Sequence, residues 1–237
     1  MIYVIKHIDI EGPGILGDIL EEAGFTLKTI ELAKGEALPE LSDSLEAVIV
    51  LGGPMNVYEE DKYPYLAEED QFIREVIDKS VPFLGICLGA QLLAKACGSR
   101  IKKAKEEEIG FYQVDLTPEG EKDALFKGLD KEIDVFQWHG DTFDLPPKGT
   151  LIATAQVCRN QAFRIGKNAY GLQFHLEVTD QIIKSWIDEY FEAGDSDLQQ
   201  KGSRIMDDYA NLKAAFTSSG REICYNFTDI VKCSKKL

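Results

Sequence analysis

The 237-residue chain holds three histidines and five cysteines, and one histidine and one cysteine stand where side chains become reactive. Cys87 sits in "GICLG" between Gly85 and Gly89, where the apolar run "PFLGI" hands over to the helically spaced "LGAQLLAKA". Small residues two positions either side permit the tight strand-to-helix turn of a nucleophile elbow, which lifts a side chain above the sheet edge. The helix that follows turns its N-terminus toward the sulfur, and its dipole and free N–H groups favour the thiolate. The pentapeptide alone fits a core cysteine at a tight turn as well as a nucleophile. A thiolate also needs a proton partner. His175 closes the apolar run "AYGLQFH", and Glu177 follows two residues later. A carboxylate there can fix one imidazole nitrogen while the other faces the sulfur. In a parallel sheet, function gathers outside the carboxyl ends of the strands, so the two side chains are expected to converge there. The chemistry of such a set is acyl transfer through a thioester.

The apolar run "AVIVL" breaks at Gly52-Gly53-Pro54. Two glycines let the backbone approach a ligand and expose N–H groups, and the proline pins the turn. A backbone donor there, with the N–H of Leu88, would form an oxyanion hole; taken alone, the motif is a strand-exit turn. His139, in "WHGD", lacks the strand-end His-x-Glu arrangement and is expected to support a loop. His7, in "KHIDIEGPG", is either a surface loop residue or part of the site mouth. The acid-rich run of Glu59, Glu60, Asp61, Glu68, Glu69 and Asp70 reads as a solvated helix start. Trp186, Tyr190 and Phe191 at helical spacing read as core.

The elements that must hold these residues alternate. Strand-like runs at 2–6, 25–32, 47–53 and 82–86 are interleaved with helical periodicity at 15–23, 65–79 and 88–97. That rhythm predicts an α/β domain of flavodoxin-like, three-layer type with a central, mostly parallel sheet. Strand-like runs at 110–117, 134–138, 151–156, 161–166 and 169–175 predict a small antiparallel annex and a last core strand. A helix is expected to start near Thr179 with Asp180 in its first turn. Residues 1–194 carry 19 Lys and Arg against 35 Asp and Glu, whereas 195–237 carry seven against six, so the acidity belongs to the main body. The expected division is therefore a domain over 1–194 and a helical C-terminal extension over 195–237, interrupted at the Ser-Gly break of 218–220.

A net charge of -15 and a pI near 4.7 argue against nucleic acid or an anionic membrane as partner. No signal-type start and no apolar run of membrane-spanning length is present, which predicts a soluble cytoplasmic protein. An odd number of cysteines without a CxxC pair predicts free thiols and neither disulfides nor a metal cage. No cofactor motif is present.

"GGP" after a strand, "GICLGAQLLA" at an elbow and "FHLE" at a late strand end, together with "EEIGFYQVDLT", "FQWHGDTFDLP" and "CRNQAF", resemble the class I, triad-type glutamine amidotransferase domain. The likeness is to stand-alone relatives of the amidotransferase domain of GMP synthase, and covers residues 1 to about 192. It implies Cys87 as the nucleophile on the glutamine side-chain amide, His175 as base and then acid, and Glu177 as the orienting carboxylate. It further implies Gly53 and Leu88 as oxyanion donors, with Gly52, Met55, Gln91, Trp138, Gly140 and Asp141 binding the substrate. Relatives often have proline between the His and Glu; Leu176 stands here, which alters turn stiffness and no chemistry. The implied reaction is glutamine hydrolysis, without a metal or cofactor, supplying ammonia to an acceptor. No phosphate loop of the SGG-x-DS or G-x-x-x-x-G-K-[ST] type occurs, so a synthase acceptor would lie on another chain. Two other readings stand beside it: a γ-glutamyl peptide or amide hydrolase with the same triad, and a non-catalytic regulatory module. The filled triad positions and Gln91 speak against the latter. A homodimer is compatible with all three.

Overall fold

The computed structural model describes residues 1–234. The chain opens with β1 (Ile2–Lys6), α1 (Gly14–Glu22), β2 (Leu27–Glu31), β3 (Ala47–Val50), α2 (Tyr65–Asp78), β4 (Phe83–Ile86) and α3 (Leu88–Ala96). It continues with β5 (Ile101–Leu116), β6 (Glu132–Phe143), β7 (Gly149–Thr154), β8 (Ala162–Ile165), β9 (Ala169–Leu172), α4 (Asp180–Tyr190) and α5 (Ser196–Ser234). Among the described residues the strands form one sheet in the order β2-β1-β3-β4-β9-β8-β7-β5-β6. Every pairing from β2 to β9 is parallel, and every pairing from β9 to β6 is antiparallel. The expected α/β architecture is thus present, with β5 and β6 far longer than the sequence pattern indicated. The charged "IKKAKEEE" has little strand character, yet Ile101, Lys102, Lys103 and Glu108 pair with β6 on either side of a bulge between Lys103 and Glu108.

Alternation along the strands sends side chains to two cores. Ile2 and Val4 of β1 join α1, α4 and α5 on one face, while Tyr3 and Ile5 join α2 and α3 on the other. All four residues of β3 are buried, as a central strand covered on both faces requires. α4 starts where its cap predicts: the Thr179 hydroxyl accepts the Ile182 N–H at 3.4 Å.

The C-terminal segment departs from expectation in one respect. Residues 218–220 do not break the helix, and α5 runs through them without interruption for 39 residues. Gly220 serves close approach: a Cβ on it would lie 2.4 Å from the Leu176 carbonyl oxygen. α5 lies against α1, α4, β5 and β6, and buries Ile205, Tyr209, Phe216, Ile223, Phe227 and Val231 in the core it shares with the main body. Each such side chain contributes about 1.5–3 kcal/mol.

Candidate active site

Pairing of β4 with β9 brings the cysteine and histidine segments together. The register sets Ile86 opposite Leu172, and the Cys87 N–H donates to the Leu172 carbonyl at 2.8 Å. The chain then turns at Cys87 with φ 51° and ψ −104°, a conformation costing a non-glycine residue about 1–3 kcal/mol. Both flanking glycines are required by contact. A Cβ at Gly85 would meet the Gly89 carbonyl at 2.4 Å, and one at Gly89 the Val50 carbonyl at 2.1 Å. Leu88 is the first residue of α3, so its N–H is among those the helix leaves without an internal acceptor.

His175 lies three residues beyond β9. Its main chain exchanges both hydrogen bonds with Phe136 of β6, at 2.7 and 3.2 Å. Its Nδ1 lies 2.7 Å from Glu177 Oε1, and its ring packs edge-on to Trp186 with centroids 4.8 Å apart. Burial alone would push the imidazole pKa down; the Glu177 carboxylate and the adjacent Cys87 side chain outweigh it and hold the ring well above its ordinary value. Glu177 is itself fixed. Its Oε2 accepts the Leu176 N–H at 3.0 Å, and its carbonyl accepts the Ile15 N–H at the start of α1, also at 3.0 Å.

Cys87, His175, Gly53, Leu88, Met55, Gln91, Trp138, Gly140 and Asp141 all line one cavity of about 410 Å³. Glu177 stands behind His175, and Gly52 lies one residue behind the lining. Gln91, one turn beyond Cys87, donates to the Asp141 carbonyl at 3.1 Å and so ties α3 to the end of β6. Asp141 Oδ2 is buried with no hydrogen-bond partner among the described residues, which suits it to a ligand's ammonium group.

The class-I glutamine amidotransferase family model matches residues 16–188. The chain belongs to that family. The glutamine amidotransferase-like protein YfeJ of Salmonella typhimurium is 28% identical over 231 residues, covering 96% of this chain and 95% of that one. A glutamine-hydrolysing GMP synthase subunit of Sulfolobus acidocaldarius is 32% identical over 155 residues, 64% of this chain and 77% of that relative. Among solved structures, a glutamine amidotransferase from Thermotoga maritima superposes with a TM-score of 0.85 at 36% identity, covering 96% of this chain and 97% of that one. The family model ends before α5, whereas both YfeJ and the Thermotoga protein are matched over nearly their whole length.

Several residues of this family member carry more than their sequence announced. Trp186, Tyr190 and Phe191, expected as core, also line the cavity, as does Leu198 of α5. Glu11, from the loop after β1, lines it too, and burial raises its carboxyl pKa to about 7. The acid-rich run is not uniformly solvated: Glu69 is fully buried, with Nε2 of the equally buried His7 at 2.9 Å from its Oε2. His7 therefore neither lies on the surface nor lines the cavity. No pattern within either segment could reveal that pairing, because the partners are 62 residues apart.

His139, expected to support a loop, instead lies within β6, with Nδ1 3.0 Å from the Asp141 carbonyl. Its Nε2 lies 3.1 Å from Glu108 Oε2, and with Cys158 these form the set among the described residues whose ligand-type atoms come within 4.8 Å of one another. His139 Nε2 and Glu108 Oε1 have no hydrogen-bond partner among the described residues. Gln161 donates to Glu108 at 3.1 Å, and burial with the Glu108 carboxyl pushes the Cys158 thiol up to about 12, keeping it a proton donor. Among the described residues no helix is long and apolar enough to cross a membrane.

Proposed function

We propose that this protein hydrolyses the side-chain amide of glutamine through a cysteinyl thioester and supplies the ammonia to an acceptor on another chain. The observation that carries the reading is the strained Cys87 at the head of α3, sharing a cavity with a His175 whose far nitrogen is anchored 2.7 Å from Glu177. In the proposed reaction His175 takes the Cys87 thiol proton as the sulfur attacks the amide carbon, and the N–H groups of Gly53 and Leu88 hold the oxyanion. The imidazolium of His175 gives its proton to the departing nitrogen, and ammonia leaves. His175 then takes a proton from the water that attacks the thioester and returns it to the departing sulfur, which releases glutamate and restores the thiol. Glu177 keeps the ring in one tautomer and orientation. Gln91, Met55, Trp138, Gly140 and Asp141 hold the amino-acid end, with Gly52 shaping the turn behind them. The similarity to a GMP synthase subunit that is a chain of its own supports an acceptor on a partner chain. Five unpaired cysteines support a cytosolic setting for the reaction.

A second reading keeps the triad and changes the leaving group. Trp138, Tyr190, Phe191 and Leu198 give the cavity an apolar wall that ammonia does not need, which favours a γ-glutamyl peptide or amide as substrate. We place residues 1–194 as the catalytic domain and 195–237 as an extension that caps it. The full chain would be incubated with glutamine and with γ-glutamyl peptides, with Cys87→Ala as blank, following ammonia and released amine. Glutamine turnover that vanishes in the variant is expected. Preference for γ-glutamyl peptides would replace the first reading with the second, and equal release by both proteins on every substrate would overturn both.

A further inference from the structure

We infer that His7 and Glu69 form a positioning pair that sets the Gly52–Gly53 peptide, and with it the oxyanion donor of the active site. His7 Nδ1 is 3.0 Å from the Gly52 carbonyl oxygen, and Nε2 is 2.9 and 3.2 Å from the two oxygens of Glu69. Both side chains have no exposed surface. A carbonyl accepts only, so Nδ1 carries a proton and donates to Gly52. That leaves Nε2 to share a proton with Glu69, and α2 thereby fixes the ring's direction. Burial alone would lower the ring's pKa, yet Glu69, the Gly52 carbonyl and Glu11 together raise it. Glu69, Glu11 and the ring of Tyr65, 6.3 Å away, are the groups that face His7.

The consequence lies in the geometry of a peptide bond. Among the described residues no peptide is cis, so the carbonyl of Gly52 and the N–H of Gly53 point in opposite directions from one rigid plane. Gripping the oxygen therefore aims the N–H away from His7, and Gly53 is the residue of that peptide that lines the cavity with Cys87 and Leu88. The plane has little room elsewhere. A Cβ on Gly53 would fall 2.9 Å from His7 Cβ and 3.0 Å from Leu88 Cδ2. Two glycines in succession would otherwise leave the peptide free to rotate, so His7 and Glu69 substitute for the side-chain bulk the turn cannot carry. They touch no substrate.

This inference rests on the glutaminase reading, and the test separates the two. Full-length wild type, His7→Gln, His7→Asn and Glu69→Gln would be assayed for glutamine hydrolysis, and Cys87 alkylation by iodoacetamide would be timed alongside. Asparagine can place an amide donor near Nδ1 and glutamine cannot. His7→Gln should lower kcat about 10²-fold, the scale of losing one oxyanion donor, with KM within about threefold. His7→Asn should recover most of that loss, and Glu69→Gln should fall between. Alkylation forms no oxyanion, so its rate should stay within about twofold of wild type in all variants. Unchanged kcat, loss confined to KM, or alkylation falling with kcat would overturn the inference. If wild type proves inactive on every substrate, crystal structures of wild type and His7→Gln decide it: a rotated Gly52–Gly53 peptide supports the inference, and an unmoved one overturns it. Should His7→Gln fail to fold, the same measurements on Glu69→Gln carry the decision.

Discussion

Gly220 of α5 lies so close to the carbonyl oxygen of Leu176 that a methyl group on its Cα would sit 2.4 Å away. Leu176 is the residue between His175 and Glu177, and on its other side a Cβ at Gly14 would reach the Glu177 carbonyl at 2.0 Å. The His-Leu-Glu segment is thus held between the first turn of α1 and the middle of α5. Alanine at Gly220 would gain about 1 kcal/mol of helix propensity, but overpacking costs about 1–3 kcal/mol and falls directly on this segment. Gly220→Ala is expected to lower stability in urea denaturation and to lower kcat with it. A stabilised, fully active variant would show that the contact constrains nothing.

The backbone at Cys87 makes a second expectation. Cys87→Gly and Cys87→Ala should both abolish turnover, yet they should differ in stability. Glycine relieves the left-handed conformation, worth about 1–3 kcal/mol, against an unfolded-state entropy cost of roughly 0.5–1 kcal/mol. Cys87→Gly should therefore be about 1 kcal/mol more stable than Cys87→Ala when unfolding midpoints are compared.

Glu177 holds the His175 ring both in place and charged. Glu177→Gln keeps an acceptor and loses the charge, so kcat should fall on the order of 10²-fold or more. With the carboxylate gone, burial dominates the imidazole, and the ionisation assigned to His175 in the pH–rate profile should move downward. A profile unmoved in pH would remove Glu177 from this role.

Glu11 predicts a pH effect on stability. Its carboxyl titrates near 4.5 when unfolded and near 7 when folded, because burial outweighs the attraction of His175. Between those values the folded state binds the extra proton, so its contribution is complete below about pH 4.5 and is lost as pH rises through 7. The raised imidazoles of His175 and His7 act in the same direction, each contributing stability below about 6.5 that disappears at higher pH. Urea titrations at pH 5 and pH 8 should show Glu11→Gln losing less stability than wild type across the interval, by on the order of 2–3 kcal/mol. Equal losses would mean that the carboxyl ionises freely in the cavity.

Removal of residues 195–237 should cost far more than a tail usually does. It would uncover the face on which Phe111 meets Phe216 edge to face, with centroids 5.3 Å apart, and on which Tyr209 packs. A chain ending at Gly194 is expected to be insoluble or to lose its cooperative thermal transition. A well-folded truncated protein that merely changed oligomeric state would assign α5 to dimerisation.

The sequence brought out the residues proposed to react, and the contacts that support them much less. Cys87 could be singled out because it directly follows the apolar run of β4, and His175 because the run through β9 leads to it with Glu177 two residues on. His7 and Glu69 could not: each looks ordinary in its own segment, and their meaning arises only when β1 and α2 pack. Gly220 misled for a related reason, since glycine in a helical stretch marks a break unless a neighbour comes close enough to demand it, and Leu176 is a neighbour only in space. The charged start of β5 was missed because its residues have little strand character of their own.

The left-handed backbone at Cys87 bears on the descent of this chain as well as on its chemistry. A turn that glycine would adopt without strain has a cheaper occupant one substitution away, so a lineage with no use for the thiol would drift toward it. On the proposed reading, a relative carrying glycine at that place would be the first candidate for a family member without the reaction.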